Sequence, residues 1–129
     1  MKGLATILAA ATLWTGAAAA DTDATRAVWT RHVEAATAGD LDAVMADFTE
    51  QSAIITPEGV IAGTAAIRAF FEDFLAGLSP EDPAEVNAQI AHDEVMVFNF
   101  TIGETTFHDT AVIRDDRILV LSTVGYPAD

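Results

Sequence analysis

The sequence predicts an α+β domain, with three helices in its first half packed on one face of an antiparallel sheet that comes mostly from its second half. Two observations carry this expectation. Apolar residues recur at helical spacing in most of the stretch before Leu78 and alternate with polar ones after Pro83, and these two periods separate helix from strand. The breaks in the second half, at His92-Asp93, Gly103-Glu104 and Asp115-Asp116, are two residues long and so join neighbouring strands as hairpins. Helices first and a meander second put the helices together on one side of the sheet.

A first helix is expected over 24–38, where Ala24, Val28, Ala35 and Ala36, with Trp29 and Val33, form the apolar stripe. Gly39 stops it, and Asp40 caps a short second helix that runs to Phe48. Residues 52–56 alternate and are rich in β-branched side chains, so they read as a strand ended by Pro57. Glu58-Gly59 turns the chain into a brief returning strand over 60–62. Thr64 is expected to cap a third helix over 65–78, with Ile67, Phe70, Phe71, Phe74, Leu75 and Leu78 as its stripe. The segment 79–83, with Pro80 and Pro83, is a polar linker. Strands then follow over 85–91, 95–102, 105–114 and 117–125.

Residues 1–20 stand apart from this domain. A Met1-Lys2 start, an apolar run to Gly16 and the small residues Ala17 to Ala20 have the layout of a cleavable signal peptide, so the domain is expected over 21–129, in a periplasmic or secreted protein. The apolar run is too short to span a membrane well. Without cysteine there is neither a lipoprotein anchor nor a disulfide, and the core alone must hold the fold. Loss of Lys2 would leave five arginines against twenty acidic residues, a net charge of −15. Such a surface disfavours nucleic acid, anionic lipid and phosphorylated substrates. No membrane association is expected once the leader is gone.

Both faces of the late strands are apolar. Val95 and Val97 oppose Met96, Phe98 and Phe100, and Ile118, Val120 and Val124 are expected to oppose Leu119 and Leu121. Three helices cover only one face, so a homodimer through the other is expected.

The order of short motifs resembles the SnoaL-like proteins of the nuclear transport factor 2 (NTF2-like) superfamily, and more distantly the bacterial ketosteroid isomerases. The residues concerned are Ala38-Gly39-Asp40-Leu41-Asp42 after the first helix, Ile54-Ile55-Thr56-Pro57, Gly63-Thr64-Ala65-Ala66-Ile67-Arg68, and a closing hairpin with Ile113 and Ile118 on either side of its turn. The resemblance spans essentially all of 21–129 and implies a cone, its three helices closing a curved antiparallel sheet over an internal pocket. Function is not implied, because that architecture hosts isomerases, cyclases, hydrolases, dehydratases and non-catalytic domains. Carried onto this chain, the isomerase tyrosine falls at His32, the late aspartic acid at Asp109 and the catalytic base at Thr56. The logic of that comparison is a standard worked example of carboxyl tuning. Threonine cannot take a carbon-bound proton, so the isomerase mechanism in that form is not expected.

The candidate site residues are therefore His32, Asp109 and Thr56, with Trp29 and Phe98 in the lining. His32 lies in line with Val28 and Ala35 and should point inward, either as a core histidine bonded to a neighbour or as an acid/base or ligand-binding group. Asp109 shares its strand face with Phe107, Ala111 and Ile113, where a carboxylate is costly unless it is paired or protonated; the alternative is a solvated strand end. His32 and Asp109 are expected to face each other across the pocket. His108 belongs on the opposite strand face, and His92 in a solvated turn. Phe48, Phe70 and Phe74 are further lining candidates, equally suited to the core. Neither a metal nor a cofactor is expected.

An aromatic pocket with a few polar groups suits a small, mostly apolar, uncharged molecule. Three functions remain open: binding without chemistry, catalysis with His32 and Asp109 as an acid/base pair on an isomerase, lyase or hydrolase reaction, and assembly through the outer sheet face.

Overall fold

The structure, a computed structural model, describes residues 21–129, so the expected signal peptide at 1–20 lies outside the described residues. Three helices and six strands follow in order: α1 Thr22–Thr37, α2 Leu41–Met45, β1 Ala53–Thr56, β2 Gly59–Ala62, α3 Thr64–Ala76, β3 Glu85–His92, β4 Val95–Ile102, β5 Thr105–Arg114 and β6 Arg117–Pro127. Every expected element is present, with ends within two residues of the sequence reading except α2, which stops three residues before Phe48.

Local chemistry sets the boundaries. Asp21 starts α1 by accepting from the Asp23 and Ala24 amides, and Asp40 starts α2 by accepting from the Ala43 amide at 3.1 Å. Gly39, at φ +69°, takes the left-handed position after α1 that a side chain would resist. Thr64 does not cap α3, contrary to expectation. Gly63 occupies the cap position, and the Thr64 hydroxyl donates instead to the Glu50 carboxylate. The inward stripe of α1 begins at Thr25 rather than Ala24, because the buried Thr25 hydroxyl donates to the Asp93 carbonyl and ties the helix to the β3–β4 turn.

The six strands form one sheet in the order β2-β1-β6-β5-β4-β3. Its neighbours are antiparallel except for β1 and β6, which run parallel, with Ile54 opposite Leu121. The sheet is therefore mixed, not wholly antiparallel. This pairing joins segments more than sixty residues apart, and no turn in the sequence dictates its direction.

A second correction concerns β6. Val112 pairs with Val120, but Ile113 pairs with Ile118, which leaves Leu119 as an extra residue. That bulge puts Ile118 and Leu121 on the same buried face, whereas regular alternation would separate them. The hairpin turn beside it holds Asp115 and Asp116 at positive φ, the handedness that tight two-residue hairpins need.

The core lies between the helices and the inner sheet face. Val28, Trp29, Val44, Phe48, Ile54, Ile67, Met96, Ala111, Ile113, Ile118 and Leu121 are all buried there. The loop from α2 to β1 is fastened to the start of β6. Ser52 donates its hydroxyl to the Ile118 carbonyl at 2.6 Å and accepts from the Thr49 amide at 2.9 Å, while the Ile118 amide donates to the Asp47 carbonyl at 2.7 Å. Asp47 is thereby fixed beneath α1.

Candidate functional site

The helices do not fill the inner face completely. Towards the far end of the sheet, α1, α3, the β1–β2 turn and the 79–84 linker stand over β4, β5 and β6 around a cavity of about 780 Å³. Phe70 and Phe74 of α3 are only partly buried because they line this space, and Phe98, Phe100 and Phe107 form its floor. Phe100 and Phe107 stack with their centroids 5.0 Å apart, and Trp29 meets Phe98 edge-on at 5.5 Å.

All five site residues expected from sequence line the cavity: Trp29, His32, Thr56, Phe98 and Asp109. Phe70 and Phe74 join them, but Phe48 does not; it packs edge-on against His32 at 5.7 Å as core. Thr56 is only a rim residue, since its hydroxyl donates to the Gly59 carbonyl and accepts from the Glu58 amide within the β1–β2 turn. His92 is exposed beside Asp93, and His108 sits on the outer face against Tyr126.

Asp109 is 7% exposed, held in the middle of β5 by pairing to Phe98 on one side and Thr123 on the other. Its Oδ1 is sealed from solvent and has no hydrogen-bond partner among the described residues. Burial destabilises the carboxylate, the Thr123 hydroxyl offsets only part of that, and the pKa is pushed up to about 6. Asp109 is thus raised towards neutrality, a state suited both to exchanging a proton and to receiving a ligand's polar group.

His32 does not pair with Asp109. No hydrogen bond or ion pair joins the two, and the carboxylate against the imidazole is Asp47, which the sequence reading missed. His32 Nδ1 lies 3.7 Å from Asp47 Oδ2, within ion-pairing range and longer than a hydrogen bond. Asp47 is wholly buried, and its Oδ1 accepts from Arg31 Nε at 2.8 Å, with Arg31 Nη2 at 2.7 Å. Burial opposes ionisation of Asp47, but the imidazole and guanidinium outweigh it and hold the carboxyl below its ordinary range. Facing Asp47 through Nδ1 leaves the opposite edge of the His32 ring, with Nε2, for the cavity that it lines. A signal for Asp47 was present in the sequence. It falls three residues after the buried Val44, on the same face of a helical turn, and acidic residues on a buried face require a partner.

The family model described as SnoaL-like domain matches residues 29–126. No curated protein matches the chain. Solved structures similar to it include a candidate ketosteroid isomerase from Kribbella flavida, 16% identical with TM-score 0.70, covering 85% of this chain and 83% of that one. A candidate polyketide cyclase from Sinorhizobium meliloti is 17% identical with TM-score 0.65, covering 74% and 92%. A SnoaL-like protein of unknown function from Burkholderia thailandensis is 16% identical with TM-score 0.67, covering 86% and 99%. At these identities the likeness is one of fold.

Proposed function

This chain belongs to the SnoaL-like domain family, and from that premise we propose that it binds a small, mostly apolar molecule in the cavity between its helices and its sheet. The observation that carries the reading is Asp109, a carboxyl group sealed in an aromatic cavity of about 780 Å³ with one oxygen unpartnered. A polar group in that position is costly to the fold unless something binds it. Native mass spectrometry of protein isolated from its own cell tests the reading: a retained small molecule, lost on replacing Phe98 by a charged residue, is expected. Consistently empty protein, together with no thermal stabilisation by any of a panel of apolar compounds, would refute it.

A second reading, catalysis, is favoured by a different observation. Asp109 titrates near neutrality, and His32 is oriented by Asp47 with one edge left to the cavity, so the site has two groups able to move a proton. Candidate isomerase and cyclase neighbours of the same fold are compatible with it. Thr56, its hydroxyl committed to the turn, supplies no base. Turnover that disappears with both Asp109→Asn and His32→Gln would distinguish catalysis from binding.

The reading includes export and self-association. The charged start and apolar run at 1–20 support removal of a leader before the domain functions in the periplasm or outside the cell. The outer sheet face supports a homodimer or a wider assembly role. Ile90 pairs with Val97, Val95 with Val112, and Val112 with Val120, while Ile55, Ile90 and Val95 are exposed.

A further inference from the structure

The charged groups around the cavity are all of one sign. Glu58 in the β1–β2 turn and Asp82 in the 79–84 linker stand at its rim, Asp109 lies on its floor, and among the described residues no lysine or arginine lines it. Arg31, half-exposed, is held by Asp47 and lies outside the lining. Aromatic rings from α1, α3, β4 and β5, among them Trp29, Phe74, Phe98 and Phe107, surround the space, and the face of such a ring is electron-rich. Among the described residues His32 is the only lining group able to carry positive charge, and it is set against the Asp47 carboxylate.

We propose that the molecule held in this cavity is an apolar organic cation, a protonated amine whose hydrocarbon part fills the aromatic space and whose ammonium meets Asp109. The inference rests on the binding reading above and changes one part of the expectation from sequence, that the ligand is uncharged. An anion would meet three carboxylates with no counter-charge. A neutral apolar molecule would leave the Asp109 carboxylate without a counter-charge. An ammonium supplies that counter-charge to the carboxylate that lines the cavity and is attracted by any ring face it meets. Rim carboxylates at Glu58 and Asp82 add a field that draws cations to the mouth.

Calorimetric titration of the purified protein with a matched pair of probes, naphthylmethylamine and naphthylmethanol, tests the proposal. The two share shape and apolar area and differ in charge. At about pH 7.5 the amine should bind about tenfold tighter or more, a margin reasonable for a desolvated charge pair with ring contacts. Asp109→Asn should remove that preference and bring the affinities of the two probes to within about twofold of each other. The preference should also fall as pH drops through about 6, where Asp109 takes up a proton; the Asn variant separates this from His32, Glu58 and Asp82, the other titratable lining groups. Alcohol binding as tightly as amine would overturn the cation proposal and leave the apolar-ligand reading standing. An amine preference that survives Asp109→Asn would overturn the assignment to that carboxylate. Binding of neither probe would count against both readings.

Discussion

Replacing Asp109 by asparagine should stabilise the empty protein, by an amount that depends on pH. The carboxyl ionises near pH 6 in the folded chain, against an ordinary 3.8. Between those values the folded chain holds a proton that the unfolded chain has released, so stability falls as pH rises through the window and does not recover above it. At about 1.36 kcal/mol per pH unit, the loss from this one group is about 3 kcal/mol at neutral pH. Asparagine cannot ionise and keeps nearly the same volume, so Asp109→Asn should escape that loss. Its amide still needs partners in a cavity that offers few, which lowers the gain to about 2–3 kcal/mol near pH 7.5. Below about pH 4 the wild-type group is itself neutral, and the two proteins should differ by less than about 1 kcal/mol. Urea unfolding of both proteins across that pH range reads the difference directly, and the pH dependence of all other groups cancels in it. A stability difference constant with pH, or a variant less stable than wild type at pH 7.5, would refute the argument that burial, without a compensating cation, dominates the environment of Asp109.

Three further outcomes follow from the geometry. In double-mutant cycles of unfolding free energy, His32 and Asp47 should be coupled by about 0.5–3 kcal/mol, whereas His32 and Asp109 should be additive within about 0.5 kcal/mol; the reverse would show the cavity groups paired otherwise than described. Asp47→Ala should destabilise the fold by about 3 kcal/mol, at the low end for a broken buried pair because Arg31 is half-exposed and can rehydrate. That contribution, arising from a lowered carboxyl pKa, should be intact above the ordinary 3.8 and fade as pH falls through the folded value, as urea unfolding of wild type and variant at pH 3 and 7 would show. Val112→Asp, in the middle of the outer face, should shift sedimentation towards monomer without changing cavity binding, whereas a monomeric wild type at micromolar concentration would remove the basis for the dimer.

The parts of the fold legible in the sequence are those governed by near neighbours. The stripe Val28, Trp29, His32 and Ala35, the alternation Phe107, Asp109, Ala111 and Ile113, and the cap at Asp40 are each set within a few residues, and the structure has them as expected. The features that escaped it are non-local or depend on one extra residue. The parallel β1–β6 pairing depends on segments far apart, and the Leu119 bulge cannot be seen in a run of four apolar residues, 118–121, where either face fits. Thr64 had two acceptable uses, cap or partner to Glu50, and only the approach of Glu50 decides between them. His32 and Asp109 were placed correctly on inward faces, yet their mutual pairing was inferred from face alone. Asp47 took the position opposite His32 because the Ser52 and Ile118 contacts pull its loop under α1.

The position of β6 has a consequence for how the chain reaches this state. β6 is the last of the described strands to be made, yet it lies inside the sheet, with β1 on one side and β5 on the other. Until it arrives, the β1–β2 hairpin has no strand pairing to the β3–β5 meander, and Ser52 and the Asp47 carbonyl lack their contacts to Ile118. The sheet of a partly synthesised chain is therefore in two unpaired parts with open edges, and closing it needs contacts across most of the sequence, the slow step in folding of such topologies. The sheet of such a nascent chain stays open until β6 has been made. Loss of even a few residues from β6 is therefore far more damaging than a similar loss at β2 or β3, on the sheet edges.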